Sequence, residues 1–118
     1  MNLNEFYEKV GGSLDEVMGR LMNEARIMKY LDKFRNSTEV QDFYTALNAE
    51  DYETAFRGAH SLKGMCANLG IGNLQRSSSD VCEALRPGVK PSGDISDLLA
   101  KMDEDYKTFN EAIKELMP

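Results

Sequence analysis

The chain has 118 residues, of which 42% are hydrophobic and 29% charged, and its net charge is −6. This composition is that of a folded globular protein and excludes a disordered one, while the acidic balance argues against nucleic acid as a partner. The length fits one hydrophobic core, so we expect a single domain over residues 1–118.

No apolar run approaches the roughly 18 residues of a membrane span, and the N-terminus lacks the basic and apolar regions of a signal peptide. The sequence therefore predicts a cytoplasmic protein with no membrane partner. Its two cysteines, Cys66 and Cys82, lie in helical patterns without metal-ligand spacing, and one histidine leaves too few soft ligands for zinc. We expect both thiols to be reduced and mostly buried.

The first third of the chain predicts short helices. The apolar spacing is helical and lacks the alternation of strands. One helix is predicted over residues 4–10 and ends at Gly11-Gly12. Ser13 then begins the next helix in a capping box with Glu16. A further helix over residues 24–34 either continues that helix with a bend or stands alone.

The remaining chain predicts four longer helices. The first follows the break at residues 36–38, and the second begins at the N-cap Asp51 and ends at Gly70. Apolar residues in this second helix are spaced 3,4,3,4,3, at Tyr52, Ala55, Ala59, Leu62, Cys66 and Leu69. The third helix aligns Ile71, Leu74, Ser78, Val81 and Leu85, and the fourth runs from Asp94 to about Met117. Short loops favour antiparallel neighbours. We therefore predict an all-α, antiparallel up-and-down four-helix bundle with one or two short N-terminal helices packed across it.

His60, the only histidine, lies in the helix between Asp51 and Gly70 but outside its apolar stripe. On a helical wheel it is roughly 130° from the mean direction of the apolar positions, so its ring is predicted to face solvent. The same wheel places Arg57, Gly64 and Ala67 beside it, and Lys63 at the border of core and solvent.

These residue types suit a phosphoryl acceptor. A neutral imidazole keeps a lone pair for attack on phosphorus, and Lys63 and Arg57 can compensate the negative charge that follows. Gly64 costs the helix about 1 kcal/mol relative to alanine but leaves a gap over which a partner can approach. Each feature has an ordinary interpretation too: a solvated histidine or lysine, or a glycine at a close helix crossing. Their joint spacing is what favours function.

The run His60-Ser61-Leu62-Lys63-Gly64, followed by Leu69-Gly70, closely resembles the signature of histidine-containing phosphotransfer (HPt) domains. The resemblance extends over roughly residues 10–117. Further matching positions are Gly11-Gly12-Ser13, Asp51-Tyr52, Ala59, Leu74 and Leu85-Arg86. Members of this family are four-helix bundles, which agrees with the fold predicted above.

The resemblance implies a phosphorelay intermediate. Such a domain accepts a phosphoryl group from a receiver aspartate (or a kinase) and passes it to another receiver. By motif position, His60 would be the phosphoacceptor, Lys63 would stabilise the phosphoryl oxygens, and Gly64 would allow docking. Implied partners are response-regulator receiver domains and a hybrid sensor histidine kinase. No cofactor is implied for this chain, since the Mg²⁺ belongs to the receiver.

Apolar and basic residues near His60 are candidates for the partner contact: Phe56, Arg57, Ala67 and Ile71. The chain has no glycine-rich nucleotide motif, so we expect no kinase or ATPase activity. A free-standing carrier is favoured over a fragment. Two alternatives stay open: a protein-binding bundle without covalent chemistry, and a pseudo-carrier that docks receivers without accepting phosphate.

One position departs from the family pattern. Many members have Gln or Glu 22 residues after the histidine, where it can orient the ring, but this chain has Cys82. A thiol is a poor hydrogen-bond partner. The orienting group is therefore Gln75, Ser79 or Glu83, or a water molecule.

Overall fold

The computed structural model describes all 118 residues and contains seven helices and no strand, which confirms the all-α prediction. The helices are α1 (Leu3–Lys9), α2 (Leu14–Leu21), α3 (Glu24–Arg35), α4 (Glu39–Asn48), α5 (Tyr52–Leu69), α6 (Gly72–Ala84) and α7 (Ser96–Leu116). The molecule is elongated, with principal extents of 42 × 22 × 21 Å. None of the helices combines the length and the apolarity needed to cross a membrane.

The N-terminal helices begin at capping side chains. Ser13 caps α2 as predicted, because its hydroxyl accepts from the Glu16 N–H at 3.4 Å. The reciprocal capping box, however, is at α1, where Asn2 and Glu5 exchange bonds of 2.9 and 3.0 Å. Such caps satisfy N–H groups that have no partner within the helix.

The question of one bent helix or two is resolved at Met22. This residue has a positive φ of 77°, which ends α2, and Asn23 then caps α3 by accepting from the Arg26 N–H at 2.8 Å. A backbone turn with a new cap separates two independent helices, so α2 and α3 are distinct.

The predicted boundaries of α5 are confirmed. The Asp51 carboxylate accepts from the Thr54 N–H at 3.2 Å, and Gly70 ends the helix in the left-handed conformation with φ of 73°. Glycine is required at position 70 for two reasons, since φ is positive and a Cβ there would collide with the Val17 side chain. The chain turns sharply at this point and enters α6.

Helix α5 is central to the packing: it lies most extensively against α4 and α6, while α6 packs in turn on α7. Helix α1 contacts α7, and α2 contacts both α3 and α5. Five of the six predicted apolar positions of α5 are buried, and the sixth, Tyr52, is half-buried at the end of the helix. The apolar face of α5 is thus enclosed, and only its opposite face meets solvent.

Ile71 does not lie at its predicted place on the surface. It was expected to contribute to a surface contact near His60, but its side chain is fully buried. The reason is the turn at Gly70, which directs Ile71 into the same core as Leu69 and Leu74. The separate prediction that Ile71 aligns with Leu74 on the inner face of α6 is right.

Candidate functional site

The His60 side chain is exposed on the outer face of α5, as the spacing of the apolar residues predicts. Its neighbours Ala59 and Leu62 are both fully buried. Because these two side chains fix the rotation of the helix about its axis, the ring has no route into the core. An imidazole in this position is available to a partner molecule.

Gly64 opens the surface one turn after His60. A Cβ built on Gly64 would meet no heavy atom within 4 Å. Gly58 differs, because a Cβ there would lie 3.5 Å from Phe43 of α4. A close helix crossing therefore does not explain Gly64, and no contact within the chain requires its glycine. The side-chain layer has a gap beside the imidazole.

Lys63 lies at the border of core and solvent, where the wheel placed it. It forms no ion pair, and its charge acts on residues of α6. It helps to lower the pKa of the Glu83 carboxyl, after the larger effect of the hydrogen bond from Arg86. Burial raises the pKa of the Cys82 thiol, and Lys63 opposes that rise. The ammonium group is thus near the α5–α6 boundary and free to bind an anion.

The polar surface continues beyond Lys63 as a cleft of about 300 Å³ between α5 and α6. It is lined by Lys63, Gln75, Arg76, Ser79 and Asp80. Arg76 donates to Asn73 at 2.7 Å. The surface between Lys63 and α6 is therefore polar and carries both cationic and anionic side chains.

Phe56 makes a stacking contact with the His60 ring. The two ring centroids are 6.1 Å apart and the ring planes differ by 23°. The Arg86 guanidinium carbon lies 5.4 Å from the Phe56 centroid, within the range of a cation–π interaction. Arg86 also donates two bonds of 3.1 and 2.5 Å to the Glu83 carboxylate. Sequence reasoning gave Arg86 no role at this site, because its contact with Phe56 joins α5 to the segment that follows α6 and leaves no local pattern.

Arg57 lies beside His60 as predicted, but its guanidinium extends toward the N-terminus of α5. There it bonds to Glu53 at 3.1 Å, with both side chains largely exposed. Exposed pairs of this kind contribute at most about 1 kcal/mol and exchange easily. Arg57 can therefore leave Glu53 for a stronger anion.

Ala67 is half-buried near the end of α5. Its carbonyl accepts from Arg20 at 3.0 Å, and the Asn68 carbonyl accepts from the same guanidinium at 3.2 Å. Sequence reasoning missed Arg20, since the bond joins residues 47 positions apart. It brings α2 to the C-terminal end of the helix that carries His60.

Cys82 is fully buried and unpaired, as is Cys66. None of the three side chains considered for orienting the imidazole bonds to it within the chain, and Glu83 bonds to Arg86 instead. The intramolecular contact that the structure gives the His60 ring is the stack on Phe56.

The fold is all-helical, and the outer face of α5 carries an exposed histidine, a lysine without an ion pair at i+3 and an open glycine at i+4. The family model described as Hpt domain matches residues 29–116, about three quarters of the chain. The chain belongs to the Hpt family. Searches of curated proteins and of solved structures return no match.

Membership in this family establishes the class of function. Hpt domains are phosphotransfer carriers of phosphorelay signalling that interact with receiver domains and histidine kinases, so this chain takes part in phosphorelay signalling. The matched segment covers α4 to α7 and most of α3, whereas α1 and α2 lie outside it.

Proposed function

We propose that His60 accepts a phosphoryl group from the aspartyl phosphate of one receiver domain, or from a kinase, and passes it to the aspartate of another receiver. The observation that carries this proposal is the exposed imidazole beside an open glycine, where no group of the chain blocks an approaching partner. A hybrid sensor histidine kinase and a response regulator are the expected donor and acceptor.

The transfer step is an in-line displacement at phosphorus. A lone pair of the neutral imidazole forms the N–P bond while the P–O bond to the receiver's carboxylate breaks, and that carboxylate keeps the electron pair. The product is a phosphorylated imidazolium, which loses its remaining ring proton to solvent or holds it until the reverse transfer. Docking supplies the alignment, so the chain needs no acid or base of its own.

Two cations of α5 are placed to offset the charge that arrives. Lys63 forms no ion pair, so its ammonium can bind the phosphoryl oxygens directly. Arg57 can exchange its exposed bond with Glu53 for a charge-assisted bond to the phosphoryl group. The Mg²⁺ that the reaction needs is proposed to belong to the receiver, and this chain is proposed to contribute neither a cofactor nor kinase or ATPase activity.

The scaffold for this site is proposed to be an antiparallel bundle of α4 to α7 within a single domain of residues 1–118. Short connections support the arrangement, since only residues 49–51 join α4 to α5 and only residues 70–71 join α5 to α6. The Tyr44 hydroxyl donates to the Asp103 carboxylate and so links α4 to α7.

The test is incubation of the chain with a receiver domain carrying a labelled aspartyl phosphate. Label is expected on the wild type in an acid-labile, alkali-stable form, and absent from His60→Gln. Equal labelling of His60→Gln would refute the assignment. Receiver binding by the wild type without any label would instead support the pseudo-carrier.

A further inference from the structure

We propose that Phe56 is a positioning residue that sets the plane of the His60 ring for phosphoryl transfer. This inference rests on the proposed role of His60 as phosphoacceptor. It assigns to an aromatic stack the orienting task for which Cys82 is poorly suited, and it gives Phe56 a part in the reaction rather than in the contact with the receiver.

The geometry of the stack carries the inference. Phe56 precedes His60 by one helical turn, so the two side chains lie above one another on the same face of α5. Their ring planes are within 23° of parallel, and a centroid separation of 6.1 Å lies inside the range of stacked aromatic pairs. No hydrogen bond from a neighbouring side chain competes with this contact for control of the ring.

Phe56 is itself restrained by its packing. It is half-buried and packs against the hydrophobic core, and Arg86, which donates two bonds to Glu83, lies over its ring. An imidazole on the surface that rotates freely about its side-chain bonds would sample several orientations. Against a fixed aromatic ring, its plane is restricted before a receiver arrives, which reduces the entropy lost on reaching the reactive geometry.

A stack differs from a hydrogen bond in one respect that matters for the chemistry. It fixes the plane of the imidazole but bonds to neither ring nitrogen. Both nitrogens therefore keep their lone pair or proton available to solvent and partner, and the ring can turn over within the stack. The chain positions the nucleophile without selecting a tautomer through a fixed acceptor.

The first experiment observes the stack directly by NMR. Since His60 is the only histidine, its ring carbon-bound protons form a single set of signals. Ring current from Phe56 should displace them, and Phe56→Leu should shift them toward the values of an unstacked imidazole, while Phe56→Tyr keeps them displaced. Unchanged signals in Phe56→Leu would overturn the proposal. This measurement involves no phosphoryl transfer, so it is independent of the proposed function.

The second experiment measures single-turnover labelling of His60, with a phosphorylated receiver and with phosphoramidate, a small donor that needs no docking surface. Phe56→Leu should lower the maximal rate with both donors by about three- to tenfold, the range that corresponds to a lost aromatic pair. The receiver concentration at half-maximal rate should stay unchanged, and Phe56→Tyr should restore the rate. Tyr106→Leu, which removes a half-buried aromatic ring from α7, is the matched control and should leave both quantities unchanged.

The two roles of Phe56 give opposite results. An unchanged maximal rate with a raised half-saturating concentration would mean that Phe56 only contacts the receiver, and would overturn the positioning role. Equal slowing by Tyr106→Leu would mean a general loss of packing, and would also overturn it. If the wild type accepts no label at all, the proposed function fails, whatever the NMR result. If Phe56→Leu does not fold, both experiments are repeated with Phe56→Met, because methionine keeps a comparable apolar volume.

Discussion

Gly64→Ala should make the protein more stable and a poorer partner for its receiver. In the middle of α5, alanine is a better helix former than glycine by about 1 kcal/mol. The added methyl group costs nothing elsewhere, because a Cβ on Gly64 meets no heavy atom within 4 Å. The same methyl group, however, projects into the gap over which a receiver is proposed to reach His60.

The expected gain in stability is measurable. For a domain of this length, about 1 kcal/mol corresponds to a rise in Tm of roughly 4 °C. Gly19→Ala is the matched control, since Gly19 lies in α2 and its Cβ would also meet nothing within 4 Å. Both variants should be stabilised, with a smaller gain at Gly19 because it is near the end of its helix.

Transfer kinetics then separate the two variants. Gly64→Ala should slow labelling by a phosphorylated receiver while leaving labelling by phosphoramidate at the wild-type rate, and Gly19→Ala should change neither. The reasoning fails if Gly64→Ala lowers Tm, since a contact within the chain would then require the glycine. It fails also if this variant accepts label from the receiver at the wild-type rate.

Three further predictions concern Lys63, Tyr7 and Cys66. Lys63→Ala should change the free energy of unfolding by less than about 0.5 kcal/mol, because Lys63 has no ion pair. It should slow labelling of His60 by about tenfold or more. A large loss of stability would mean that Lys63 has a structural role instead. Tyr7→Phe should lower the free energy of unfolding, measured by urea titration, by about 1–2 kcal/mol. The buried Tyr7 hydroxyl donates to the Leu69 carbonyl at 2.8 Å, and the substitution leaves that carbonyl unpaired. An unchanged urea midpoint would contradict this prediction. Burial raises the pKa of the Cys66 thiol from 9.0 to about 12. As the pH rises, the unfolded chain therefore loses this proton at a lower pH than the folded chain does. The free energy of unfolding should fall between about pH 9 and 12, by at most about 1.4 kcal/mol per pH unit from this group. Cys66→Ala should reduce that slope, and an unaltered slope in urea titrations from pH 8 to 11 would be the contrary result.

The course of α5 was predictable from the sequence because its signals are local. The apolar spacing from Ala55 to Leu69 fixes which face is buried, and Asp51 and Gly70 mark the two ends by side-chain capping and backbone conformation. These features together place His60 outward without any knowledge of the other helices. The same holds for Gly64, whose position one turn after His60 follows from helical geometry alone.

Contacts between distant segments were not predictable in this way. Ile71 was expected at the surface beside His60, but the turn at Gly70 directs it into the core. The contact of Arg86 with Phe56 depends on how α6 lies against α5. Asp105 shows another limit: its charge favours solvent, yet it is only 5% exposed, with one oxygen bonded to Lys101 at 3.2 Å and the other without a partner. Helical periodicity places Asp105 on the inner face of α7. Its burial therefore follows from its position in the helix and not from its residue type.

The two N-terminal helices lie outside the Hpt match, and the structure connects them to the C-terminal end of α5. The last carbonyls of any helix lack partners within it. At the end of α5 the Leu69 carbonyl accepts from Tyr7 of α1, and the Ala67 and Asn68 carbonyls accept from Arg20 of α2. A cation at this end also interacts favourably with the helix dipole. Helices α1 and α2 therefore supply partners for the carbonyl groups at the end of α5, in the turn that follows Gly64 and precedes Gly70.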